Sequence, residues 1–162
     1  MEKNRRLSSL NSSFKLSIGL FILLTWVGFG VAGFMSFQHY SFDHDKTIQY
    51  YLGDPADGEA AFKKPYSHLV GVTHVHAYTM PLVFFVIWIL LQGTTTRESF
   101  KKIIIIGGFL AILTYNAAPY LVRSGLTRGV WMFSLGGIGL YLFYFWPSML
   151  VLRELFRRGN PS

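Results

Sequence analysis

The stretch HLVGVTHVHAYTMP, residues 68–81, concentrates most of the chemistry this chain can offer. It carries His68, His74 and His76, three of the five histidines, followed at once by Met80 and Pro81. Imidazole can ligate a metal or haem iron, donate or accept a hydrogen bond, and carry a proton near neutral pH. The thioether of Met80 adds a soft donor that favours Cu(I). On a regular helix, residues two apart differ by about 200°, so His74 and His76 leave on opposite sides. Residues four apart share a face, which pairs His76 with Met80 and His74 with Tyr78. The same spacing joins Met35 to His39 earlier in the chain. Met35, His39, His76 and Met80 would form a two-His, two-Met set for copper if their helices are neighbours. Within LTYNAAPYLVR, Asn116, Tyr120 and Arg123 add hydrogen-bond donors and a cation. His44 and His68 read as interfacial side chains satisfied by carbonyls or water.

The elements that must position these groups are four apolar runs, approximately 16–37, 70–92, 103–122 and 130–152. Each is long enough to cross roughly 30 Å of hydrocarbon at about 1.5 Å per residue. The first run is too long for a typical signal-peptide core and lacks a clear A-x-A site, so it reads as an anchor. Of 162 residues, 51% are hydrophobic and only 14% charged, which is low for a soluble domain. Short links between the second, third and fourth runs predict antiparallel neighbours. The expected fold is therefore an all-α, up-down-up-down bundle of four transmembrane helices in a single domain, 1–162. Glycines crowd three runs, notably Gly28, Gly30 and Gly33 in the first. They predict close packing of spans one and two, because small residues let membrane helices approach. Pro81 removes a backbone hydrogen bond and is expected to bend span two beside the histidines.

Charge placement orients the bundle. Ten of the fifteen Lys and Arg residues lie in the N-terminal tail, the 92–102 link and the C-terminal tail. The positive-inside rule then puts both termini in the cytoplasm, and the loop 38–69 outside. Five of the eight acids lie in that loop, so its net charge is small. The net charge of +7 thus collects at one membrane surface, where anionic lipid attracts it, and needs no nucleic acid to explain it. All five histidines fall at or near the outer face. Tyr115, Asn116, Tyr120 and Arg123 reach a similar depth at the end of span three. Polar residues at membrane depth are costly and mark functional sites. Tyr40, Tyr50, Tyr51, Tyr66, Tyr78, Tyr120, Trp131 and Phe133 read as an aromatic belt at that interface.

Several chemistries are absent. There is no cysteine, which removes disulfides, thiolate metal sites, iron–sulfur clusters and covalently attached haem. No phosphate-binding glycine loop, dinucleotide fingerprint or H-E-x-x-H occurs. GDPADGE does not have EF-hand spacing and reads as a solvated turn.

Four spans with histidines gathered near one membrane face give the chain a plan that resembles the small four-helix membrane cytochromes of the b type. The segment YYLGDPADGEAAFKKPYSHLVGVTHVHAYTMPLVFF is also similar to a segment of small bacterial four-span proteins of unassigned function. The cytochrome resemblance implies a non-covalent haem b and electron exchange with quinone. Its ligands would be His39 with His74 or His76, and Arg123 would face the propionates. Spans three and four contain no histidine, so the resemblance allows at most one bis-histidine haem, on spans one and two.

The expected function is a membrane redox subunit, part of an oxidoreductase, that binds haem b and/or quinone near the outer face. His39, His74, His76, Asn116, Tyr120 and Arg123 would contact the cofactor. One alternative is copper held by Met35, His39, His76 and Met80. Another is a non-catalytic accessory subunit of a larger membrane complex. Expected partners are the lipid bilayer and other membrane or periplasmic redox subunits. The expected location is the bacterial inner membrane.

Overall fold

The computed structural model describes residues 7–40, 43–54 and 62–157, with the backbone alone at 39 and 40. Five α-helices account for almost all of it: α1 (Ser12–Tyr40), α2 (His44–Leu52), α3 (Tyr66–Gln92), α4 (Glu98–Arg123) and α5 (Gly129–Leu155). There is no strand among the described residues. Four of the helices, α1, α3, α4 and α5, are long and apolar enough to cross a membrane. Their 26 to 29 residues exceed the expected runs, because turns with polar residues at one or both ends continue each helix into the interface.

The helices alternate in direction. At one end the short 3-10 turn Leu7–Ser9 lies on the α3–α4 link, where Leu7 N–H donates to the Gly93 carbonyl at 3.4 Å. The end of α5 joins them there, with Thr95 Oγ1 donating to Glu154 Oε2 at 3.2 Å. This is the basic end. The other end gathers the close of α1, all of α2, the start of α3, the close of α4 and the start of α5. It holds the histidines.

The main seam runs between α4 and α5. A Cβ on Gly136 would lie 2.7 Å from the Tyr115 backbone nitrogen, and one on Gly139 would lie 2.9 Å from Ala111 Cβ. Only a missing side chain lets these backbones come so close. α3 closes the bundle against both, with Phe84, Ile87 and Leu91 fully buried.

Span one sits elsewhere than the glycine count predicts. α1 packs on α5 and α2, and its Phe29 ring lies 6.4 Å from the Phe84 ring of α3. Gly28 and Gly30 face open space, while Gly33 receives the Tyr141 ring of α5. Polar pairs fix the register along this seam. Tyr141 Oη donates to the Phe29 carbonyl at 2.7 Å, and Trp26 Nε1 to Ser148 Oγ at 2.9 Å. Thr25 and Tyr144 share a further hydrogen bond between their hydroxyls. Such interhelical bonds contribute on the order of 0.6 kcal/mol each in a membrane, but they have direction, which lipid-like side chains lack.

The loop 38–69 holds the second departure, because α2 forms within it. Asp43 starts the helix by accepting from Asp45 N–H at 2.9 Å, and Gly53 ends it at φ 82°, in the left-handed region where glycine is unstrained. A nine-residue helix is marginal alone, so docking must hold it. The His44 ring lies 4.0 Å from that of Trp131, and His44 Nε2 lies 3.4 Å from Ser134 Oγ. Thr47 and Tyr51 are buried beneath the helix. Asp57 and Glu59, in the acidic turn, lie outside the described residues.

Candidate functional site

Beneath α2, at the histidine end, lies a cavity of about 220 Å³. α3 contributes His68, Val72, Thr73 and His76 to its wall, a set with the i, i+4, i+5, i+8 pattern of one helix face. α4 contributes Tyr115, Asn116 and Pro119, and α5 contributes Phe133. α1 closes another side with Met35 and Ser36, and α2 roofs it with Tyr50 and Tyr51. All five helices therefore build this one site.

His76 is half-buried and points inward, its ring centroid 6.1 Å from that of Tyr115. Tyr115 stacks on Phe133 at 4.7 Å, and its hydroxyl pairs with Ser36 of α1. Asn116 Nδ2 donates to the Ile112 carbonyl at 2.8 Å and reaches Met80 Sδ at 3.9 Å. The thioether is a weak acceptor, so that N–H is easily turned to a better one. Pro119 brings no N–H to the Tyr115 carbonyl one turn earlier, which thereby lacks its intrahelical donor. The site therefore combines apolar walls with a few polar groups of both kinds, the usual make-up of a small-molecule pocket.

The sequence-predicted residues separate into three groups. Met35, His76 and Asn116 line the cavity, and Met80 sits just behind Asn116, packed against the core. His74, Tyr120 and Arg123 do not line it. His74 is exposed on the opposite face of α3, its ring 5.1 Å from Tyr78, which is 70% exposed. Tyr120 packs against the small cluster of Tyr51, Leu69, Val122 and Val130. Arg123 Nε donates to the Lys64 carbonyl at 2.7 Å, and its guanidinium lies 4.8 Å from the Tyr66 ring centre. It clamps the returning loop. The side chain of His39 lies outside the described residues.

The cavity also holds residues that sequence reasoning placed elsewhere. His68, read as interfacial, lines the rim while remaining exposed. Tyr50, Tyr51 and Phe133, read as belt, turn inward, because α2 carries its tyrosines over the bundle mouth. The His68–Val72–His76 spacing was the available signal, since i, i+4, i+8 defines a single stripe. α3 runs on through Pro81, which is exposed on its outer side. Among the described residues, no group of three or more His, Asp or Glu side chains converges as a metal site would require.

Four membrane-crossing helices around an end-on cavity define a polytopic helical membrane protein. Residues 41–162 match the Aq_1264_TM family of transmembrane helical domains, and the chain belongs to that family. The match covers α2 to α5 and leaves α1 outside it. No curated protein and no solved structure matches the chain.

Proposed function

We propose that this protein is a membrane redox subunit whose cavity binds the head group of a quinone. The observation that carries this reading is the convergence of His76 and Asn116, from two helices, on one apolar-walled cavity. A quinone ring presents a carbonyl on each side, and each needs a hydrogen-bond donor. A His76 ring N–H can serve one carbonyl. Asn116 Nδ2, turned away from Met80, can serve the other. The walls formed by Phe133, Val72, Pro119 and Met35 suit a flat apolar ring. Reduction of a quinone takes two electrons and two protons. The electrons would come from a partner redox subunit, while this chain binds and orients the head.

Haem b is the less favoured cofactor. A bis-histidine haem needs a second imidazole opposite His76. His68, eight residues and a rise of about 12 Å away on the same helix, cannot be that ligand, and the side chain of His39 lies outside the described residues. At about 220 Å³ the cavity lies below the range of roughly 300–1,000 Å³ usual for drug-sized ligands, which suits one ring better than a macrocycle. A copper reading draws on Met35 and His76 lining one cavity with Met80 close behind. A direct test is to purify the protein in lipid nanodiscs, extract it with solvent and assay for quinone. Its tryptophan and tyrosine fluorescence can then be titrated with a short-tailed benzoquinone and naphthoquinone. We expect saturable quenching, weakened at least tenfold by His76→Ala and by Asn116→Ala. A Soret band on the purified protein would reassign the site to haem, and stoichiometric copper would reassign it to the Met–His set. Absence of quinone, haem and copper would leave the accessory-subunit reading.

A further inference from the structure

We propose that the cavity is filled from within the bilayer, through a gap between α1 and α3, and that its ligand is an amphiphile whose long apolar tail leaves by the same gap. This inference rests on the cavity being a head-group site, and it adds the ligand's class and its route.

The water side is covered. α2 lies across the cavity mouth with Tyr50 and Tyr51 in the roof, and Tyr51 is only 6% exposed. The helix is pinned at both ends. His44 docks on Trp131 and Ser134 at its start. At its close, Lys64 N–H donates to the Tyr51 carbonyl at 3.1 Å, and the Lys64 carbonyl is itself held by Arg123. From the water side, access is narrowed by this roof to the rim beside His68.

The lipid side is different. α1 leans on α5 and α2, and its ring contact with α3 lies deeper, at Phe29 and Phe84. At cavity depth α1 contributes Met35 and α3 contributes Val72. Both line the cavity, yet they are 55% and 43% exposed. A residue that lines an internal cavity while exposed on a membrane-facing helix marks an opening towards lipid. Its flanks are apolar, with Phe34 and Val75 exposed beside it. One turn above Val72, on the same face, stands exposed His68, at the level where α3 enters the membrane. The opening thus grades from a polar rim to an apolar slot. That gradient matches an amphiphile: the ring sits inward against His76 and Asn116, and the tail lies outward between Met35 and Val72.

The test uses two ligands with one head group, a tail-less quinone and its long isoprenoid-tailed counterpart, on full-length protein in nanodiscs. The variants are Val75→Trp on α3 and Val31→Trp on α1, one turn deeper than Met35 on its face; both are exposed beside the opening and neither lines the cavity. Val70→Trp, on the other face of α3, is the control. Thermal denaturation checks that each is folded. We expect both gap variants to weaken the tailed ligand at least tenfold and to leave the tail-less one within about twofold. Val70→Trp should change neither. Unchanged binding of the tailed ligand in both folded gap variants would overturn the lateral route. Equal loss of both ligands would also overturn it, by showing that the tryptophans fill the head-group site. Failure of wild-type protein to bind either ligand would instead remove the quinone reading on which this inference rests.

Discussion

The two ends of this bundle are built by opposite rules. At the basic end the helices close on a dry plug. Leu91, Val151 and Leu155 have no exposed surface, and Leu7 folds down over Gly93. Lys101 and Glu154 are buried there as well. Lys101 Nζ is held by Glu98 at 2.8 Å and by the Gln92 carbonyl at 3.3 Å. Glu154 takes a hydrogen bond from Thr95, while Oε1 has no partner among the described residues. At the histidine end the same helices separate around a cavity, and a short amphipathic helix replaces the plug. One cation ties a loop at each end: Lys101 holds Gln92, and Arg123 holds Lys64. The difference gives the basic end a closed core and the other end an open cavity. Groups that could fill the cavity mouth are instead turned aside or made into its walls.

The bundle is most vulnerable at Gly136. A leucine there would drive its Cβ into the Tyr115 backbone, 2.7 Å from the nitrogen and 2.9 Å from Cα, where no flexible side-chain end can yield. Gly136→Leu should abolish accumulation of folded protein, whereas Gly28→Leu, facing open space, should leave the melting profile unchanged. Leu155→Ala, in the plug, should cost about 2–5 kcal/mol in a denaturation experiment, as buried leucine truncations do. The surviving folded protein should keep its quinone affinity. Normal stability in Leu155→Ala would deny the plug its role.

Arg123→Met and Lys101→Met set the two tied loops against each other. Each strips a donor from a carbonyl, at a cost of about 1–3 kcal/mol. Only Arg123→Met should also weaken ligand binding, because Lys64 carries the Tyr51 carbonyl and hence the cavity roof. Equal ligand affinity in the two variants would show that α2 stays in place without the arginine. His76→Ala should have a smaller stability effect than these, about 1 kcal/mol or less. Its loss should fall on ligand affinity, while His74→Ala, on the outer face, should alter neither measurement. A binding loss in His74→Ala matching that in His76→Ala would mean that the outer face of α3 takes part in the site.

How far these features could be read from the chain depends on the physics behind each. The spans follow from apolar runs of sufficient length, since hydrocarbon admits little else. The opposed directions of His74 and His76 follow from helical rotation alone, and the structure keeps them: one ring faces Tyr115, the other Tyr78. The neighbour of span one could not be read the same way. α1 is apolar around its whole circumference and carries no stripe that selects a partner. Gly28 and Gly30 look like a packing face in sequence and point to open space in the fold. α2 was equally hidden. Nine residues of ordinary polarity give no span signal, and their helix depends on docking against Trp131 and Ser134.

By itself, then, the sequence determined an integral membrane protein of four spans, a basic end, a histidine-rich end, and a His76 that parts company with His74. These depend on hydropathy, charge and helical pitch, which are properties of neighbours along the chain. Tertiary structure alone decided that α1 leans on α5, that Arg123 clamps a loop and does not line the cavity, and that Tyr50, Tyr51 and Phe133 line it. Each of these depends on which surfaces meet across distant segments. In lipid, where apolar faces gain little by choosing one another, that choice falls to close backbone approach and a few directed hydrogen bonds.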